Sequence, residues 1–221
     1  MKALLSNSKT FKSLDLTTNC PKRAAGNPCS YCYVESARRK GFRAKTTIDR
    51  CEYNDEITRM KQGTIDKLNQ CGGLRIFSFG DYMSWMDPIL NRVIEQADER
   101  KLMLKAITKV PEFILKYHEK FDIIHVSVDA VGDGVPMETA LKLRRECNNV
   151  LIRAAIMNDS EVELLLPHVD IFTFNHANNR YHHFTKLEIL SYGEKLPGKV
   201  CCLTGNCLTC HIKCGNTKIE R

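Results

Sequence analysis

Three cysteines, Cys20, Cys29 and Cys32, stand on one stretch of chain, LDLTTNCPKRAAGNPCSYCYVES, with Tyr31 immediately before the last thiol. Thiolates are soft metal ligands, and three of them on one loop leave a coordination position open. A closed structural zinc site takes four protein ligands. A cubane iron-sulfur cluster on three thiolates would keep one iron free to bind a substrate. The competing readings are half of a zinc ribbon, a redox pair of thioredoxin-like C-x2-C spacing, and small residues packed in a core.

A second group closes the chain. After Leu196-Pro197-Gly198 the sequence KVCCLTGNCLTCHIKCG places Cys202, Cys207, Cys210 and Cys214 in a C-x4-C-x2-C-x3-C array, with Cys201 and His211 as spare ligands. Four thiols so closely spaced, without apolar periodicity, are a metal-site signal rather than a packing one. The array suits structural zinc and an auxiliary iron-sulfur cluster equally. Cys51, Cys71 and Cys147 are isolated and expected to pack in the core.

The elements that must position these groups alternate. Apolar runs of strand length fall at 11–16, 74–79, 102–107, 123–128, 150–156 and 171–174. Amphipathic stretches lie between them at 55–70, 88–100, 111–119, 137–146 and 161–168. Asp87-Pro88 and Asp159-Ser160-Glu161 carry helix-start chemistry. Strands alternating with helices imply parallel βα units, an α/β fold. Six units point to a partial (βα)6 barrel over 1–180, followed by a cysteine-rich metal-binding tail over 181–221. In such a barrel, function collects at the C-terminal strand ends. Those ends are polar here: Ser78 to Asp81, Thr108-Lys109, Ser127 with Asp129, Arg153 with Asn158, and Asn175-His176.

The cysteine loop resembles that of the radical S-adenosylmethionine (radical SAM) enzymes, whose pattern is C-x3-C-x-aromatic-C at the end of the first strand of a partial (βα) barrel. Cys29, Tyr31 and Cys32 match its second half. Eight residues, rather than three, separate Cys20 from Cys29. In size and layout the chain is also similar to small phage-type proteins that pair such a loop with a terminal cysteine cluster. The resemblance implies a 4Fe-4S cluster on Cys20, Cys29 and Cys32 that reductively cleaves S-adenosylmethionine to a 5′-deoxyadenosyl radical, with an electron donor such as flavodoxin or ferredoxin. It also implies that Gly80-Asp81 stands where the family has a Gly-Gly-Glu-like motif for the methionine amino group. Lys105, Thr108, Ser127 and Arg153 then fall where ribose hydroxyls and the ligand carboxylate are held, Arg153 being the best bidentate carboxylate partner.

Composition agrees with one main domain: 221 residues, 43% apolar and 27% charged. MKALLSNSKT has no apolar run of secretion-signal length, so the eleven cysteines are expected to be reduced, in a cytoplasmic enzyme. No stretch approaches the roughly 18 apolar residues of a membrane span. The net charge of +7 concentrates at Arg38, Arg39, Lys40, Arg43 and Lys45, with Lys22 and Arg23 inside the cysteine loop. A basic patch beside a catalytic mouth makes nucleic acid a candidate substrate, and Tyr181, His182, His183 and Phe184 could stack on a base. The same run also reads as a solvated helix face. The alternative from another class is a zinc-stabilised nucleic-acid-binding protein without catalysis.

Overall fold

In a computed structural model the chain is described over residues 2–7, 11–32, 50–78, 80–174, 181–196 and 200–202. Cys207, Cys210, Cys214, the basic run 38–45, Phe79 and Asn175-His176 lie outside the described residues.

The strands are β1 (Leu4–Asn7), β2 (Phe11–Leu14), β3 (Leu74–Ile76), β4 (Leu104–Thr108), β5 (Ile123–Asp129), β6 (Val150–Ile156), β7 (Ile171–Phe174) and β8 (Val200–Cys202). They form one sheet in sequence order; β1 pairs antiparallel with β2, and every later pairing is parallel. The helices are α1 (Pro21–Ala24), α2 (Gln62–Gln70), α3 (Asp87–Glu99), α4 (Pro111–Tyr117), α5 (Met137–Glu146), α6 (Ser160–Leu165) and α7 (Lys186–Lys195). The chain is thus an α/β protein with a mostly parallel sheet. Because strand order never reverses, right-handed crossovers put the connecting helices on one face. That face carries Leu14, Ile76, Ala106, Ile124, Val126, Val128, the alternate residues of β6, Phe172 and Phe174, all buried with Ile65, Leu90, Phe113, Leu143 and Ile189 of the helices.

All six expected strands form; β6 and β7 have the expected ends and the other four have shifted ones. β3 stops at Ile76 because Phe77 adopts φ +63°, a left-handed conformation that ends the ladder. β4 starts at Leu104 because Leu102 is still taken up in closing the end of the helix before it. Lys101, at φ +51°, donates its N–H to Asp98 O at 3.0 Å, and Leu102 N donates to Ala97 O at 2.8 Å, a Schellman end to α3.

The helix expected over 55–70 begins only at Gln62. Asp55 sits at φ +56°, and the Arg100 guanidinium donates to the carbonyls of Ile57, Thr58 and Met60, holding this stretch in turns.

The stretch expected to be a tail from 181 instead supplies α7 and β8. Thr185 and Glu188 form a capping box at the start of α7. β8 pairs parallel with β7, Cys201 beside Phe172 and Cys202 beside Thr173. Among the described residues the parallel array therefore has seven strands rather than six, and Cys202 belongs to the last of them. No helix among the described residues is long and apolar enough to cross a membrane.

Candidate functional site

The cysteine loop begins where β2 ends. Cys20 is the N-cap of α1, with Pro21 at the first helical position; its Sγ accepts from Arg23 N at 3.4 Å. Burial pushes the Cys20 thiol up, against the lowering effect of that N–H, and the charges of Asp81, Cys29 and Cys32 add to the rise. All three thiols are free and half-buried.

Cys29 is fixed from across the sheet. Its thiol donates to Asp133 O at 3.8 Å, and the Lys109 ammonium reaches its Sγ at 3.4 Å. Lys109 also donates to the Tyr31 hydroxyl and, at 3.3 Å, to Asp133 O, and it lies over the Tyr31 ring at 4.2 Å. The Tyr31 hydroxyl donates to Asp129. Burial first, and the Asp129 charge second, push that phenol far above its ordinary range, so it is a permanent donor.

Asp133 completes the clasp. Its carboxylate accepts from Ser30 N and Ser30 Oγ, both at 2.7 Å, and from Lys22 Nζ at 3.3 Å. Burial alone would raise this carboxyl, but the Ser30 donors and Lys22 outweigh it and hold it below its usual value. Asp133 N in turn donates to Asp129 Oδ1 at 2.9 Å. Gly134 makes this turn feasible, since a Cβ there would sit 2.7 Å from Val128 Cα. Tyr181 adds a contact from beyond β7, donating to Ser30 Oγ at 2.7 Å.

The Gly80-Asp81 pair lies against the root of the same loop. A Cβ on Gly80 would stand 2.4 Å from Asn19 O and 2.6 Å from Thr17 O, so only glycine allows this approach. Asp81 N donates to Asn19 O at 3.0 Å. The Asp81 carboxylate accepts from Tyr82 N at 2.8 Å, Thr108 Oγ1 at 2.5 Å and Lys109 N at 2.8 Å. Burial pushes this carboxyl up despite those three donors. Asp81 and Thr108 thus brace the end of β4 to the end of β3.

The remaining expected ligand residues divide. Ser127 and Arg153 are register partners on β5 and β6, on the face of the sheet away from the helices. Lys105 is on that face too, but its ammonium turns to the opposite end of the sheet and donates to Cys71 O, at the C-terminus of α2, at 2.5 Å. It is therefore not at the mouth with the cysteines. His182 is held by Glu188 at 3.2 Å and packs edge-on to Phe184. Trp85 is covered by the Arg50 guanidinium at 4.3 Å.

Sequence reasoning placed Lys109 and Asp129 among the polar strand ends without a role, and missed Asp133 altogether. The signal was present in Asp129-Ala130-Val131-Gly132-Asp133-Gly134, a glycine-punctuated acidic turn directly after a strand.

Among the described residues no three His, Cys, Asp or Glu side chains are grouped to hold a metal ion. Two thiol hydrogen bonds, Cys20 to Arg23 N and Cys29 to Asp133 O, set the present sulfur positions. Thiols are weak donors and acceptors, and ligation would readily replace such bonds. The donor chemistry, three free thiols on one loop beside a strand end, fits a three-thiolate cluster.

No family model matches the chain, and no curated protein does. Among solved structures the chain is similar to thiamine phosphate pyrophosphorylase from Pyrococcus furiosus, at 11% identity and a TM-score of 0.42, over 66% of this chain and 68% of that one. A likeness that loose carries no argument about activity.

Proposed function

We propose that the protein is a radical SAM enzyme whose sheet forms a partial barrel of that type. The observation that carries the reading is the position of Cys20, Cys29 and Cys32 directly beyond the end of β2, the first parallel strand, on a loop clasped to the ends of β4 and β5 by Lys109, Asp129 and Asp133. Support for the barrel comes from the helix-free face. Ser13, Asp15, Lys105 and His125 project there and are almost fully buried although no described helix covers them, as in a sheet rolled toward that face.

Cys20, Cys29 and Cys32 would hold a 4Fe-4S cluster, which when bound supplies the electron for reductive cleavage of S-adenosylmethionine. The chain's own residues do the rest. Arg153, beside Ser127, offers a guanidinium to the methionine carboxylate. Tyr31, locked between Asp129 and Lys109, keeps the loop in register with the strand ends. Flavodoxin or ferredoxin is the proposed class of electron donor. Cys202, Cys207, Cys210 and Cys214 would hold a second metal, zinc or an auxiliary cluster, built out from the end of β8.

The test is anaerobic reconstitution with iron and sulfide, followed by S-adenosylmethionine and dithionite. 5′-Deoxyadenosine should form, and should vanish in Cys29→Ala and Cys32→Ala. Zinc filling both cysteine groups with no iron at the N-terminal loop would overturn the reading in favour of a zinc-stabilised nucleic-acid-binding protein.

A further inference from the structure

Lys109 is the residue immediately after β4, and its ammonium has three protons to place. Among the described residues they have three takers within hydrogen-bond reach: the Tyr31 hydroxyl, Asp133 O at 3.3 Å and the sulfur of Cys29 at 3.4 Å. Asp129 stands farther off, at 3.6 Å, and its carboxylate already accepts from Tyr31 and, at 2.9 Å, from Asp133 N. The buried carboxylate thus uses the lysine as a counter-charge rather than as a donor. Neutralising Asp129 explains a cation here. It does not require that the cation also touch sulfur.

The sulfurs of the loop are not treated alike. Cys20 Sγ accepts a neutral backbone N–H, from Arg23 at 3.4 Å. Cys29 is reached by an ammonium. Its present bond to Asp133 O, at 3.8 Å, exists only while the sulfur keeps its proton. A metal is ligated by the thiolate, so that bond is lost on ligation and a carbonyl dipole is left facing negative sulfur. The Lys109 contact changes in the opposite sense and becomes charge-assisted. The same ammonium donates to Asp133 O and so offsets the carbonyl as well. The Asp133 carboxylate itself is taken up by Ser30 and Lys22.

We infer that Lys109 is a positioning residue for electron acceptance: acting through the sulfur of Cys29, its charge raises the potential at which a cluster held by Cys20, Cys29 and Cys32 takes its electron. The inference rests on the iron-sulfur part of the radical SAM reading. One electron passing from a donor of the flavodoxin or ferredoxin class adds one unit of negative charge at the loop. A fixed positive charge bonded to a ligating sulfur favours that reduced form. Hydrogen bonds to the sulfurs and local net charge are among the factors that set such potentials. Asp129 opposes Lys109, since its carboxylate disfavours the added electron. The pair, rather than the lysine alone, therefore fixes the value.

The experiment is anaerobic reconstitution of the full chain with iron and sulfide, then a mediated redox titration followed by electron paramagnetic resonance. The signal absent from Cys29→Ala identifies the N-terminal loop. Lys109→Met should move its midpoint to a more negative value, with about tenfold less reduced cluster at a fixed potential, which is about 59 mV for one electron. Asp129→Asn should move it the other way, and the Lys109→Met/Asp129→Asn double variant should fall between Lys109→Met and wild type. Lys109→Arg, which keeps the charge, should recover most of the shift, and Lys142→Gln, on the exposed face of α5, should change nothing.

Iron per chain and circular dichroism are recorded for each variant. A merely structural clasp would lower the iron content but leave the midpoint of the loaded fraction where it was. An unchanged midpoint in loaded Lys109→Met overturns the inference, and S-adenosylmethionine cleavage in the same samples then judges the radical reading separately. If Lys109→Met loads no iron, Asp129→Asn decides: no positive shift overturns the inference. A midpoint that depends on Lys109, in a chain whose wild type cleaves no S-adenosylmethionine, supports the inference and removes the radical reading. Zinc at the loop with no iron removes both.

Discussion

Lys109, the residue after β4, stands 3.6 Å from the fully buried carboxylate of Asp129 at the end of β5, and the same ammonium touches Cys29. One side chain thus couples two strand ends to the cysteine loop. Removing one partner of a buried pair leaves the other charge uncompensated, which is worse than losing both.

Lys109→Met should therefore lower the unfolding free energy by about 2 kcal/mol, measured by urea titration. Asp129→Asn in the same chain should recover part of the loss. In the metal-free protein the Cys29 thiol should alkylate at a changed rate in Lys109→Met, while buried Cys147 should not. Additive losses in the double mutant would show that the two residues are not coupled.

Gly80→Ala tests the approach of the segment after β3 to the root of the loop. The added methyl meets backbone oxygens of Asn19 and Thr17, which cannot move aside as a flexible side chain would. Overpacking of this kind lowers stability by about 2 kcal/mol. The displaced segment leads straight into Cys20, so iron uptake on reconstitution should fall along with the melting temperature. Wild-type stability and iron content in the variant would refute the contact.

Asp87 provides a pH test away from the cysteines. Its carboxylate accepts from Tyr82 at 2.8 Å and Tyr117 at 2.7 Å and pairs with Lys116. Burial opposes ionisation, but Lys116 and the two phenols outweigh it and hold the carboxyl below its ordinary 3.8. A depressed carboxylate contributes stability above its unfolded value and loses it as pH falls through the folded one. Stability should thus drop between about pH 5 and pH 2, and Asp87→Asn should flatten part of that slope. Equal slopes in the two proteins would exclude the effect. Burial, and then Asp87, push Tyr82 up to about 12, so the phenol keeps its proton well into alkaline solution.

Local pattern was enough to read much of this protein. Apolar runs of strand length marked β2 to β7, and Asp87-Pro88 marked the start of α3 to within one residue, Asp87 being the first helical residue after the N-cap Met86 rather than the cap itself; such patterns depend on near neighbours in the chain. The capping box Thr185 to Glu188 was equally local, and reading it would have placed the start of α7. The cysteine spacing gave the expectation of metal binding without any fold.

Other features depend on contacts between distant segments. Lys105 and Lys109 lie four residues apart in sequence, yet one bonds to Cys71 O at the C-terminus of α2 and the other reaches the cysteine loop. Strand direction and register decide which. Phe77 reads as strand, but its left-handed backbone becomes tolerable only because Phe113 supplies a place for the ring. Residue types and short spacings determined what the cysteines and the strands could be. Only the tertiary structure, by fixing register and the side on which each charge projects, decided which of the polar residues meet.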